Sequence, residues 1–181
     1  MAQRLGMAKM TELTAKYVRS ILDYDTETGV LTWKYNPNKP LNWNARYSGK
    51  RAGRVTNMGY IRLSINDREY MAHRIIWLIN KGCIGDNEID HINGVKSDNR
   101  LCNLRLATRQ QNEWNRPGHK NVSSKHKGVF WVARDKRWRA EIVYNGKTQY
   151  IGQYECEELA SLVYSEHADK LYGEYSYAGG K

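Results

Sequence analysis

Between residues 88 and 112 the chain runs EIDHINGVKSDNRLCNLRLATRQQN, and the order of residue types there restricts local structure more than anywhere else in the sequence. Residues 89–92 are extended in character. Asn93-Gly94 turns the chain, because both residues tolerate turn conformations that other side chains resist. Leu104 and Leu106 alternate with polar neighbours, the period of a half-buried strand. Thr108 followed three residues later by Gln111 forms a capping box, in which each side chain satisfies a backbone N–H at the start of a helix. The pattern predicts strand, loop, strand, helix. Asn112 falls early in that helix, able to face back toward the strands.

This order collects an acid, an imidazole and two carboxamides near one point. Asp90 and the carbonyl oxygen of Asn112 are hard oxygen donors, and two protein ligands with open positions for water and phosphate is how Mg²⁺ is usually held. His91 titrates near neutrality and is able to take a proton from water. Adjacent side chains on a regular strand point to opposite faces. Either the strand ends or bends at Asp90-His91, or His91 faces the phosphate from across the metal. A carbonyl acceptor such as Asn103 would fix the His91 tautomer and leave the other ring nitrogen as the base.

Composition identifies the class of partner. Lys and Arg number 29 against 19 Asp and Glu, a net charge of +10 with pI near 9.5. Such a balance points to a polyanion, most often nucleic acid, the alternative being a basic soluble protein without one. Residues 1–120 carry 20 basic and 11 acidic groups, residues 121–154 carry 7 and 2, and residues 155–181 carry 2 and 6. The positive field therefore stops near residue 154, and the last segment reads as a supporting element. Thirteen Tyr and six Trp against one Phe favour aromatic rings with a polar handle, as at wet interfaces. No apolar run approaches the ~20 residues that span a bilayer, and the first ten residues, MAQRLGMAKM, lack the apolar stretch of a secretory signal. Three cysteines with no CxxC pair exclude a disulfide framework and a Cys-rich zinc site and suit a reducing cytoplasm. Cys83 and Cys102 read as small buried hydrophobes.

Elsewhere the elements are short. Leu13, Tyr17 and Ile21 recur at helical spacing, a turn follows at residues 25–29, and residues 30–33 (VLTW) read as a strand. Residues 34–57 read as a basic loop whose charges either touch phosphates or form a solvated surface. Ile61, Leu63 and Ile65 alternate, Asn66-Asp67 turns, and residues 68–71 return as a hairpin. Residues 73–80 (HRIIWLIN) read as a buried helix stopped by Gly82, with His73 a core histidine. Residues 116–126 are a linker by composition. Three strand-like runs follow at 128–132, 138–144 and 148–154, with the hairpin signal Asn145-Gly146 between the last two. Residues 155–172 read as a helix with one apolar face, three glutamates near its start and Gly173 at its end. The sheet's other face keeps Arg, Lys and aromatic side chains.

Asp90-His91-Ile92-Asn93-Gly94, Asp98-Asn99-Arg100, Asn103-Leu104-Arg105 and the later Asn112 resemble the HNH nuclease motif, and His73-Arg74 with its apolar helix resembles the version in phage and group I intron homing endonucleases. The resemblance implies a ββα-metal fold, His91 as general base, Asp90 and Asn112 as ligands of Mg²⁺ (or Mn²⁺), Asn103 holding the His91 ring, and no structural zinc, since the CxxC pairs of zinc-carrying relatives are missing. It also implies a phage or mobile-element origin and action in a bacterial cytoplasm. Lys127-Gly128-Val129, Trp138-Arg139-Ala140-Glu141-Ile142, Tyr150-Ile151-Gly152 and the helix from Glu158 to Gly173 resemble an AP2 domain, a three-stranded sheet packed on one helix that reads the DNA major groove. Alternation sends Ala140 and Ile142 to the helix and Arg139, Glu141, Thr148 and Tyr150 outward, where Arg pairs with guanine and Glu accepts from cytosine. Arg134, Lys136 and Arg137 hold phosphates, and Arg105 joins the DNA contacts. Trp131 and Trp138 serve either as sheet packing or as DNA contacts.

The sequence thus predicts an α+β chain: an HNH domain with a basic N-terminal region over 1–115, a linker over 116–126 and an AP2-like domain over 127–181. Its predicted activity is metal-dependent, site-specific cleavage of double-stranded DNA, as monomer or homodimer and without a membrane. The rival classes are a DNA-binding regulator with a non-catalytic HNH scaffold, against which the intact motif argues, and a nuclease selective for RNA or DNA structure.

Overall fold

Thr14 starts the first helix: its side-chain oxygen accepts from the Tyr17 N–H at 3.2 Å, and α1 (Ala15–Ile21) buries Val18 and Ile21. The computed structural model describes residues 13–83, 86–118 and 123–177. From α1 the chain passes into β1 (Leu22–Tyr24), which pairs antiparallel with β2 (Leu31–Trp33) across the predicted turn. Gly29 in that turn has φ +72, and a Cβ there would sit 2.5 Å from the Arg100 backbone nitrogen, so the close approach of residues 99–100 requires glycine.

Residues 34–57 are more ordered than the predicted basic loop. They contain α2 (Leu41–Tyr47) and β3 (Arg54–Val55). No apolar periodicity marks α2. It is held by a buried polar group instead: the Asn44 amide donates to Asn36 O at 2.8 Å and Lys39 O at 3.2 Å, and its oxygen accepts from the Asn36 N–H at 2.8 Å. A fully bonded buried Asn fixes a loop much as an apolar contact would. β3 pairs with β4 (Ile61–Ile65), which pairs with β5 (Arg68–Met71). Asn66 and Asp67 have φ 51 and 61, as a two-residue hairpin turn requires. Ile61, Leu63 and Ile65 are buried, as are Ala72, His73, Ile75, Ile76, Trp77 and Ile79 of α3 (Ala72–Lys81), so the predicted hairpin, buried helix and core histidine are all present.

β6 (Glu88–His91) and β7 (Leu104–Ala107) form an antiparallel pair, followed by α4 (Arg109–Trp114). Both bonds of the Thr108–Gln111 capping box are made. Then β8 (Val129–Val132), β9 (Arg137–Tyr144) and β10 (Lys147–Tyr154) form a meander in the order β10-β9-β8, with α5 (Glu157–Tyr172) on one face. Val129, Ala140, Ile142, Ala160, Tyr164, Ala168 and Tyr172 are its core. Helix and sheet approach closely at Gly128 (φ +70), where a Cβ would meet the Tyr164 ring at 2.0 Å. Trp114 of α4 packs on the same core, stacked on Tyr172 at 4.6 Å and on Tyr144 at 5.7 Å.

The fold is mixed α+β with small antiparallel sheets. The chain divides into two compact units, Met1–Ile84 with Asn99–Leu101, and Gly85–Asp98 with Cys102–Lys181. The expected linker at 116–126 falls within the second unit, part of it outside the described residues. The aromatic stack from α4 packs the strand–strand–helix segment onto the core of the meander. Cys83 and Cys102, expected as buried hydrophobes, are exposed, as is Cys156; Cys83 follows the end of α3, Cys102 lies in the single 3-10 turn before β7 and Cys156 caps α5, so none sits on the buried face of a strand or helix.

Candidate active site

Strand alternation divides the polar residues of β6 between two faces. Glu88 and Asp90 lie on the α4 side, while Ile89 and His91 alternate to the other. Two rungs join β6 to α4. Asn112 Nδ2 donates to Glu88 Oε2 at 2.5 Å. Asn115, a turn later, donates to Asp90 Oδ1 and Oδ2 at 3.0 Å each and to the His91 carbonyl at 2.8 Å. Arg105 stands directly opposite Asp90 in the β6–β7 register and closes the third side. Its Nε and Nη2 reach Asp90 Oδ2 at 2.9 and 2.8 Å, with 10% of the Arg105 and 6% of the Asp90 side chain exposed. His91 itself is buried at the strand end.

The partners settle how both carboxamides are turned. Carboxylates and a backbone carbonyl only accept, so Asn112 and Asn115 must present their NH₂ groups to them and keep their oxygens in reserve. The Asn115 oxygen is buried with no hydrogen-bond partner among the described residues.

Asn103 does something other than hold the His91 ring. Its oxygen accepts from the Asn93 N–H at 3.0 Å, and its amide donates to Asn93 Oδ1 at 3.0 Å and Asp98 O at 2.8 Å. Asn93 in turn donates to Asp98 Oδ2 at 2.8 Å, and the Ile92 N–H meets Asn103 O at 2.9 Å. The turn at Asn93-Gly94 brings the 93–98 loop within reach of Asn103 before the imidazole is, so Asn103 fixes the chain immediately after His91 and acts on it through the backbone.

The family model described as HNH endonuclease matches residues 70–114, which contain β6, β7 and α4. The chain is 31% identical over 88 residues to Protein 3.8 of Escherichia phage T7, covering 49% of this chain and 72% of that one. The chain belongs to the HNH endonuclease family. It is also 41% identical over 106 residues to an uncharacterized HNH endonuclease of Acanthamoeba polyphaga mimivirus, covering 58% of this chain and 54% of the relative, so it spans about half that protein's length. No solved structure matches.

HNH nucleases generally use a divalent metal. Among the described residues no group of three His, Cys, Asp or Glu is suited to hold one, so a cation at the HNH site would take mixed carboxylate and carboxamide oxygens and complete its shell with water and phosphate. The residues fit that demand. Among the described residues Asp90 Oδ1 accepts from Asn115 alone, and a carboxylate offers about four acceptor positions in all. Asn112 keeps its oxygen, and the orphaned Asn115 oxygen is a third donor that the sequence reading passed over. Its signal was there: Asn115 lies three residues after Asn112, on the same helical face.

Arg105 is not on the surface as a DNA contact. It is turned inward onto Asp90, its Nη1 donates to Glu174 O, and its guanidinium lies 4.2 Å from the Tyr175 ring centre. Tyr175 Oη donates to Leu106 O at 3.0 Å. The HNH strand pair is thus braced by the turn after α5. The HNH helix is braced too. Lys127 Nζ donates to the carbonyls of Glu113, Trp114 and Arg116 at 3.2, 2.7 and 2.8 Å, occupying the end of α4 where carbonyls lack helical partners. Burial lowers the Lys127 ammonium to about 8.

The remaining predicted residues lie on the meander. Ala140 and Ile142 face α5, while Val143, Thr148 and Tyr150 are exposed and Arg139 and Glu141 partly so. The register pairs Glu141 with Tyr150 and Val143 with Thr148. Arg139 reaches Glu141 at 3.3 Å and sits 5.5 Å from the Tyr150 ring centre, so its charge is partly spent within the sheet. Phe130 and Gln153 pair with Arg139 in register and share this face. In the β8–β9 turn Arg134 pairs with Asp135 at 2.7 Å, which with Gln153 lowers the Asp135 carboxyl to about 2. Arg137 pairs with Glu155 at 3.1 Å, and Lys136 is exposed in the left-handed region at φ 49. Trp138 packs on the core, while Trp131 stands 40% exposed against its edge.

Proposed function

We propose that this chain is a metal-dependent, site-specific DNA endonuclease of the homing type, with the HNH segment cutting and the AP2-like meander recognising the target. One observation carries the reading: on the strand that ends in His91, Asp90 keeps acceptor positions beyond its bonds to Arg105 and Asn115, and Asn112 and Asn115 turn their amides to partners that only accept, which leaves their oxygens for a cation. Asp90 and Asn112, with Asn115, would hold the Mg²⁺ or Mn²⁺ ion. A bound ion supplies charge neutralisation at phosphate and leaving oxygen. His91 takes a proton from the attacking water, and Asn103 holds the loop that follows it. Arg139, Glu141, Thr148 and Tyr150 face the bases, and Arg134, Lys136 and Arg137 the phosphates, so binding weakens steeply with salt.

The second reading is a DNA-binding regulator on an HNH scaffold. It is favoured by the engagement of both Asp90 oxygens with Arg105 and Asn115. Cleavage of supercoiled plasmid libraries with Mg²⁺ or Mn²⁺ separates the two. Discrete nicked or linear products that vanish with chelator and in His91→Ala are expected, a loss of roughly 10²–10⁴-fold for a general base. Tight binding without cleavage under every metal overturns the nuclease reading. Branched DNA and RNA run in parallel report a different substrate class.

A further inference from the structure

A cavity of about 470 Å³ opens in the first unit, walled by α1, β2, α2 and the β3–β4–β5 sheet. Its lining combines aromatic rings (Tyr17, Trp33, Trp43, Tyr47) with cations (Lys39, Arg51, Arg54, Arg62). The rings form a connected wall: Trp33 and Trp43 meet edge-on at 5.5 Å, and Trp43 and Tyr47 are tilted at 5.1 Å. All four are half-buried, so part of each ring's surface is left for an occupant of the cavity they line.

The wall is built in advance. The four bonds of the buried Asn44 side chain anchor α2, which carries Trp43 and Tyr47, to the loop 36–40. The Trp33 backbone is clamped by Lys50 O at 3.0 Å and by the Gly49 N–H at 2.8 Å. At the cavity wall a Cβ on Gly53 would lie 2.9 Å from Arg62 O, so this wall tolerates no side chain. Arg54 and Arg62 share Glu69 at 3.4 and 2.8 Å with the carboxylate about half exposed. Exposed pairs are worth little, so both guanidiniums can exchange Glu69 for a stronger anion at small cost. Between residues 13 and 82 there are twelve basic and five acidic residues, which makes that anion a phosphate sooner than a carboxylate.

We propose that this cavity receives an unpaired base of a DNA strand, stacked against Trp43 and its aromatic neighbours, with the flanking phosphates on Arg51, Arg54 and Arg62. A flat ring system and an anion on one ligand is the combination these walls match, and stacking suits any base because each has a π-face. The inference goes beyond the endonuclease reading. It needs a nucleic-acid partner but no cleavage.

The test uses the full chain in chelator, so that cutting plays no part. A short single-stranded oligodeoxynucleotide carrying 5-iodouracil is photocrosslinked and the adducts mapped by mass spectrometry, with the same sequence as duplex in parallel. Adducts on Trp33, Trp43 or Tyr47 from the single strand are expected, together with a loss of about 5- to 100-fold in its affinity for Trp43→Ala and recovery in Trp43→Phe. Adducts confined to other residues, an unchanged affinity in Trp43→Ala, or equal labelling of these residues by the duplex overturns the proposal. Should Trp43→Ala fail to fold, Arg51→Ala carries the test. It is expected to reduce the salt slope of single-strand binding by about one unit, and an unchanged slope overturns the phosphate assignment.

Discussion

Replacing Arg105 by Met separates an inward-facing arginine from a DNA-contacting one. Arg105 and Asp90 are 10% and 6% exposed and joined by a hydrogen bond from Nε at 2.9 Å and an ion-pair contact from Nη2 at 2.8 Å. Two unit charges ~4 Å apart attract by about 4 kcal/mol at the effective dielectric of such sites. Breaking a buried pair from one side costs about 3–5 kcal/mol, because the surviving charge stays buried without compensation. Asn115 still donates to both Asp90 oxygens, which softens the loss, while the stacking of the guanidinium on Tyr175 disappears with it. The expected cost is therefore about 3 kcal/mol, read from urea unfolding followed by tryptophan fluorescence in chelator. The double variant Asp90→Asn/Arg105→Met removes both charges and is expected to recover at least about 1 kcal/mol relative to the sum of the singles. The salt slope of DNA binding should not move in the double variant, which keeps the pair neutral. A cost below about 1 kcal/mol with a slope reduced by about one unit would refute the reasoning and return Arg105 to the phosphate contacts.

Gly128→Ala places a Cβ 2.0 Å from the Tyr164 ring at φ +70, so strain and overpacking together should cost about 3 kcal/mol in chemical denaturation; a loss within experimental error would mean that helix and sheet part easily there. Trp114→Ala removes the ring stacked on Tyr172 and Tyr144 and is expected to lower stability by about 3 kcal/mol, since α4 is packed on the meander core; an effect below about 1 kcal/mol would show the two to be independent. Burial raises the Tyr164 and Tyr172 hydroxyls above their ordinary value of 10. The folded state therefore keeps these protons to higher pH than the unfolded chain. Their contribution is complete below about pH 10 and is lost as pH rises through the folded values. Urea melts stepped upward from about pH 9 should show the gap between the parent and Tyr164→Phe narrowing above about pH 10, and a gap that stays constant would be inconsistent with a buried hydroxyl.

Much of the HNH segment is legible from the sequence because its determinants are local. Asn93-Gly94 makes its turn, Thr108 and Gln111 make their capping box, and Leu104 and Leu106 alternate, each within a few residues of its partner. The meander is legible for the same reason, with Asn145 and Gly146 both at positive φ. α2 is not, because its organising group is a single buried Asn whose partners are loop carbonyls, and carboxamides carry no periodic signal. Nor are the roles of Asn103, Arg105 and Asn115. They depend on which residue of one element stands opposite which of another, a matter of register. A composition count sees Arg105 as one more cation facing DNA. The β6–β7 register makes it the counter-charge of Asp90.

That register has an electrostatic consequence for the proposed reaction. A lone buried carboxylate beside His91 would repel the phosphate it is meant to help. Paired with Arg105, Asp90 contributes no net charge to the strand end, and the second carboxylate, Glu88, is directed to the amide of Asn112. The backbone of an incoming strand therefore meets one uncompensated carboxylate, Glu88, rather than two, on a chain of net charge +10. Its approach is governed by the basic surface, and the acidic groups act only at contact range. Leaving a net negative charge at this one pair should therefore slow association as well as weaken binding: in Arg105→Glu, combined with Asp90→Asn so that the fold survives, the association rate with duplex DNA is expected to fall at low salt and to converge on the parent's as salt is raised, because screening removes long-range repulsion. A rate unaffected at low salt would show that the cleft lies off the path of the DNA.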